Sequence, residues 1–153
     1  MRDGARITPL QPRHAAITPH IRRADAMEIW AAEGAPAWIG IASTIAMTEI
    51  GWAVELHGEQ VAIFGVCRSG EDSGIAWLIA TDVIEEYPVH FYRVSRRIIA
   101  RLKDRYAYLE NWVDARNKLS LRWLAWAGFT IEDPAPWGAF GMDFCHVYWN
   151  RRG

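Results

Sequence analysis

The apolar positions change period several times along this 153-residue chain, and each change predicts a new element. Ile7 to Leu10 predicts a short first strand, followed by Pro12 and polar punctuation. From Pro19 to Glu33, Ile21, Ala24, Met27 or Glu28, and Ala31 fall near helical spacing, and Gly34-Ala-Pro36 ends the run. Pro36 to Thr48 predicts a second helix through Trp38, Ile41 or Ala42, Ile45 and Thr48. At Gly51 the period drops to two. Trp52, Val54 and Leu56 alternate with small or polar neighbours, His57-Gly-Glu-Gln60 turns the chain, and Val61 to Cys67 returns as a buried strand. After a polar loop, Arg68 to Gly74, Ile75 to Ala80 predicts another strand.

Pro88 to Tyr106 has the clearest helical pattern. Phe91, Val94, Ile98 and Leu102 form one stripe with Ile99 beside it, and six Arg and Lys side chains occupy the rest. A strand follows from Tyr108 or Leu109 to Val113, then a helix behind Asn117 with Gly128 where a left-handed C-terminal residue belongs. A short strand from Phe129 to Ile131 and a Pro/Gly-rich connection, Asp133-Pro-Ala-Pro-Trp-Gly138, lead to the last strand, Phe140 to Trp149. The order β-α-α-β-β-β-α-β-α-β-β predicts one α/β domain, a mixed sheet with helices on both faces.

Composition narrows the function classes. About half of the residues are hydrophobic, enough for a real core, and a net charge of −1 offers no global attraction to nucleic acid or anionic membrane. Cys67 and Cys145 read as buried free thiols of a reducing compartment, and no metal-ligand spacing, catalytic Ser/His/Asp arrangement or P-loop is visible. Met-Arg-Asp-Gly-Ala-Arg leads into no apolar run, so no secretory signal is expected, and Gly34 to Thr48 is too short to span a bilayer. A cytoplasmic protein is expected.

Strand, Asn117, helix, Gly128-Phe129 and strand together resemble the C-terminal signature of the GNAT N-acetyltransferase superfamily, and the element order extends the resemblance over nearly the whole chain. Glu59-Gln-Val-Ala-Ile-Phe-Gly-Val66, Ala76-Trp-Leu-Ile-Ala-Thr-Asp82 and Trp112-Val-Asp-Ala-Arg-Asn117 look most like the phage and prophage branch that includes podophage internal virion protein A. The resemblance implies a single GNAT-like (acyl-CoA N-acyltransferase) domain. It implies acetyl-CoA in the gap where the fourth and fifth strands part, pantetheine along Ile79, Ala80 and Thr81, and pyrophosphate at a helix start near His90. Asn117 matches the family's helix-opening residue. Asp82 and Glu110 are the candidate catalytic bases, with Asp114 and Glu55 also able to reach the cleft; solvation or arginine pairing competes for each.

Two departures from the family pattern bear on activity. The superfamily enters its phosphate-binding helix through a glycine-rich loop, whereas Asp82-Val-Ile-Glu-Glu-Tyr-Pro-Val-His90 has no glycine and three carboxylates. Leu124 stands where the family commonly has a Tyr general acid. Both favour a phage or prophage protein acting through protein contacts, with a virion or host protein as partner and acetyl transfer weak or lost. An acetyl-CoA-dependent N-acetyltransferase is the alternative. The arginine-rich helix is read as CoA-binding, partner-binding or simply solvated, with nucleic acid not expected. Trp30, Trp38, Trp52, Trp77, Trp112, Trp123 and Trp126 are expected in the core, while Trp137 and Trp149 are candidates for an interface.

Overall fold

The computed structural model describes residues 4–152, so the first residues read for a leader lie partly outside the described residues. Eight strands form one sheet in the order β1-β2-β3-β4-β5-β8-β6, with β7 also paired to β8. β1 (Ala5–Pro9), β2 (Thr48–Leu56), β3 (Glu59–Arg68) and β4 (Ser73–Ala80) are antiparallel neighbours. β5 (Tyr108–Asp114) and β8 (Met142–Asn150) pair along seven residues, and β6 (Thr130–Ile131) and β7 (Ala135–Trp137) line the far edge of β8. Among the described residues β4 and β5 form the single parallel junction, which lasts for three residue pairs, Ser73↔Tyr108 to Ile75↔Glu110.

Strand alternation divides the core between two faces. Phe64, Val66, Leu109, Val113 and Val147 pack under α4 (Pro88–Arg105) and α5 (Lys118–Trp126). The predicted stripe Val94, Ile98, Ile99 and Leu102 is buried there, and Phe91 packs against it partly buried. Ala53, Ile63 and Ile79 pack on the opposite face beneath a 3-10 helix (Pro12–His20) and α2 (Ala37–Met47), with α1 (Arg23–Glu33) beside them. The hairpin turns through His57 and Gly58, both with positive φ, as a two-residue loop matched to strand twist requires. α5 ends in a Schellman motif. Phe129 N–H donates to Leu124 O, Gly128 N–H donates to Ala125 O, and the buried Phe129 and Leu124 side chains belong to the same core cluster.

Several expectations are corrected. The helix expected over Pro19–Glu33 breaks at Ile21 and Arg22, which are extended because Ile21 bridges Thr81 and Arg22 N–H bonds Ala80 O at the end of β4. The β4–α4 loop holds an extra helical turn, α3 (Val83–Glu86), and the Pro/Gly-rich connection holds β7, where Pro136 is tolerated on an edge strand. Trp30, Trp38 and Trp126 are not core residues: they are 51%, 64% and 43% exposed, on the outer sides of their helices. Trp137 instead stacks flat on Trp112, with ring centres 5.3 Å apart.

The turn behind β7 clamps α1. Ala139 N–H donates to the carbonyls of Ala31 and Ala32, and Gly138, at φ +84°, lies so close that a Cβ there would sit 2.6 Å from Ala31 O. Gly138→Ala should therefore cost about 2 kcal/mol through strain and a backbone clash, lowering Tm by roughly 4–8 °C in a thermal melt.

Candidate functional site

Beyond Ile75 and Glu110 the parallel strands part, and the groups along their inner edges need other partners. Thr81 N–H points to Val61 O on β3, so by alternation Ile79 also faces β3, whereas Ala76, Leu78 and Ala80 turn their backbone groups toward the gap. On β5 the gap-facing residues are Trp112 and Asp114.

Asn111 closes the apex. Its Nδ2 donates to Ala76 O at 2.8 Å on β4, and its Oδ1 accepts Trp112 N–H at 2.7 Å on its own strand. One carboxamide thus stands in for the missing rung of the ladder. At the mouth the partners come from α1 and from Arg22, the residue just before it. Asp25 Oδ2 accepts Ala80 N–H at 3.0 Å, and Arg22 N–H donates to Ala80 O at 2.8 Å. Across the gap Glu28 Oε1 accepts Asp114 N–H at 2.9 Å. Asn117 ties the sides together: its Nδ2 donates to Asp25 and Glu28 at 3.1 and 3.3 Å, and its Oδ1 accepts from Arg22 Nη2 at 3.1 Å. Arg22 also pairs with Asp25 Oδ1 at 3.2 Å, and Glu85 lies 3.6 Å from its Nε.

Arg22, Asp25 and Asn117 are at most 4% exposed. Burial pushes the Asp25 carboxyl above its ordinary range, against the pull of Arg22, Ala80 N–H and Asn117. Burial, and then the charge of Asp25, push Glu28 up to about 8, so it carries a proton at neutral pH. Asp114 goes the other way: its own burial would raise it, but a two-pronged contact with Arg116, 2.6 Å at the shorter prong, holds it below the usual range.

The fold has counterparts among solved structures. No family model and no curated protein matches the sequence. Ard1 from Thermoplasma volcanium superposes with a TM-score of 0.74 at 12% identity, over 96% of this chain and 97% of that one. Spermidine N-acetyltransferase from Vibrio cholerae, in complex with CoA and spermine, gives 0.68 at 13% identity, over 97% and 96%. The GNAT domain of S. lividans PAT gives 0.68 at 15% identity, over 95% and 90%. The chain has the GNAT fold. At these identities the likeness is one of architecture, and the site must be judged on its own residues.

Measured against the GNAT cofactor cleft, the predicted residues scatter. Both backbone groups of Ala80 are already paired, Ile79 faces β3 and the core, and Thr81 is buried with its N–H on Val61. Asp82 is exposed on an open hollow of about 420 Å³ that also holds His20, Glu59 and Glu86. His90 lies in the first turn of α4 with its ring edge-on to Tyr87. Asn117 does not cap α5; its carboxamide is spent on the buried network. Glu110 bonds His146 Nε2 at 3.0 Å while Glu132 bonds Nδ1 at 2.5 Å. Desolvation lowers the His146 pKa, but the two carboxylates outweigh it and the net shift is upward.

The residues present do not fit acetyl-CoA in the manner the resemblance implies. A pantetheine arm along β4 would have to displace Asp25 and Arg22 from Ala80. A pyrophosphate at α4 would meet Pro88, which has no N–H, behind a turn carrying Asp82, Glu85 and Glu86. Leu124 is buried in the core and has no proton to give. Sequence reasoning missed Arg22, Asp25, Glu28 and Asn111. A signal existed: charged side chains at positions 22, 25 and 28 recur every three residues, on one face of the segment.

Two outcomes follow from this network. Asp25→Ala takes from Arg22 its buried counter-charge and from the Ala80 N–H its acceptor, and should cost about 3–5 kcal/mol in a denaturant titration. Glu28 has a folded pKa above the ordinary carboxyl value of 4.5, so the unfolded chain releases that proton first. Its contribution is complete below about pH 4.5 and falls away as pH rises toward 8. Glu28→Gln keeps an acceptor for Asp114 and removes the titration. It should match the parent near pH 4.5 and exceed it by about 4–5 kcal/mol at pH 8.5, roughly 9–18 °C in Tm.

Proposed function

We propose that this chain is a GNAT-fold protein that works through protein–protein contact, in keeping with its resemblance to phage and prophage virion proteins, and that acetyl transfer by it is weak or absent. One observation carries the reading: Asp25 and Arg22 hold both backbone groups of Ala80, on the edge where a GNAT cofactor would pair. Opening that edge means separating a buried ion pair whose members also bond Asn117, so ligand binding would be taxed before any contact was gained. The acidic turn before α4 supports the same reading. The partner in this reading is a virion or host protein.

The second reading, an acetyl-CoA-dependent N-acetyltransferase, is favoured by the splay itself, which leaves the gap-facing groups of Leu78 between the Asn111 wedge and the Asp25 latch. Acetyl-CoA titrated into the purified protein, followed by thermal shift, separates the two. A ligand with a Kd of about 10 µM would add about 2.7 kcal/mol at 1 mM and raise Tm by roughly 5–10 °C. We expect a shift below about 1 °C for the parent chain. A shift of several degrees would overturn the proposal and restore the enzyme reading.

A further inference from the structure

His146 has a carboxylate on each ring nitrogen. Its Nε2 bonds Glu110 Oε1 at 3.0 Å on β5, and its Nδ1 bonds Glu132 Oε1 at 2.5 Å just beyond β6. A neutral imidazole has one N–H and one lone pair, and an ionised carboxylate only accepts. Both bonds are therefore made together by the imidazolium. The surrounding rings favour the same form. Leu109, Val113, Cys145 and Val147 turn into the core under α4 and α5, so alternation puts Tyr108, Glu110, Trp112, His146 and Tyr148 on the other face of β5 and β8. There Tyr148 stacks on the His146 ring at 5.7 Å and 24°, and the Trp112 ring centre lies 5.0 Å from it. A cation beside aromatic faces is attracted by their quadrupoles. The charges acting on the ring are those of Glu110 and Glu132, and the phenols of Tyr108 and Tyr148 share that neighbourhood.

What hangs on these bonds is the far edge of the sheet. β6 contributes two residues and β7 three, and Glu132 lies in the link between them. Glu132 N–H donates to His146 O at 2.9 Å, so its backbone stays tethered to β8 while its side chain reaches across to the ring. Trp137 of β7 lies flat on Trp112, the residue opposite His146 on β5. Two residues further on, Ala139 holds the end of α1 through the carbonyls of Ala31 and Ala32. The ring is thus joined, through β7, to the helix that carries Asp25 and Glu28 to the cleft.

We infer that His146 is a proton-operated clasp: charged, it ties the β6–β7 edge to β5, and on losing its proton it releases Glu132 and loosens that edge and its hold on α1. Glu132 is the partner released, because its side chain is 52% exposed against 34% for Glu110 and exchanges the bond for water more readily. Desolvation lowers the ring's pKa, but the two carboxylates outweigh it, so the folded midpoint lies above the ordinary 6.5. The clasp is complete below about pH 6.5 and is lost as pH rises through that folded midpoint. It is independent of whether the β4–β5 cleft accepts acetyl-CoA.

Two measurements on the full chain, from about pH 5.5 to 9.5, test the clasp. One is the pair of ring nitrogen shifts of His146 by NMR, assigned by their absence in His146→Gln. The other is amide exchange protection over positions 130–139, corrected for base-catalysed chemical exchange. Both ring nitrogens should carry protons below about pH 6.5, with a midpoint above 6.5. Protection of the edge should fall about tenfold across the same titration, while that of β2 and β3 stays level. Glu132→Gln should lower the midpoint and abolish the step in protection, because a carboxamide can accept from one form of the ring and donate to the other. A His146 ring that is neutral at pH 6.5 overturns the inference. So does edge protection that stays level through the titration, or a step that persists unchanged in Glu132→Gln.

Discussion

Two parallel strands that part inside a sheet leave backbone donors and acceptors that water cannot reach, and each such group costs about as much as a lost hydrogen bond. Much of this molecule is arranged around that constraint. Asn111 supplies a rung where the ladder ends, and Asp25, Glu28 and the Arg22 amide answer the groups further out. Serving them requires α1 to lie across the gap with three polar residues turned inward. That placement fixes the break at Ile21 and Arg22, the loss of Asn117 as a cap, and the burial of an arginine.

The two ends of α1 are held by different means. Its start is bound electrostatically through Arg22 and Asp25, while its end is held by backbone bonds from the turn after β7 and by the Trp30–Phe140 stack. The helix itself has little amphipathic character to anchor it by burial alone, since Asp25 and Ala31 are its buried residues. Its position is set by polar geometry, which is more specific in direction than apolar contact and more costly to disturb.

What the sequence revealed and what it concealed follow from distance along the chain. The β2–β3 hairpin, the α4 stripe and the Gly128 ending depend on neighbours within a few residues, and all three appear where the periodicity and turn residues predict them. The network at the cleft depends on partners up to 95 positions apart, and no local pattern encodes that Asn117 reaches Arg22. Glu28 falls at helical spacing, so the pattern places it on the helix face beside Met27, but only its partners show that a carboxyl serves the cleft there. Tryptophans misled for a related reason. Periodicity places a residue on a helix, but which side faces the sheet is decided by the helix's neighbours, and Trp30, Trp38 and Trp126 face away.

The origin of the groups that cover Ala80 has a consequence for how the chain emerges from the ribosome. Arg22 and Asp25 precede β4 in sequence, whereas β5, the neighbour along that edge, begins at Tyr108. When β4 has been made, the cover for its far end already exists within the same nascent segment, and Asn117 and the strand whose Asp114 N–H donates to Glu28 arrive later. An open strand edge is a template for pairing with a neighbouring chain. In this protein the Ala80 end of that edge is shielded by its own upstream residues during the interval when a polysome would bring like segments together.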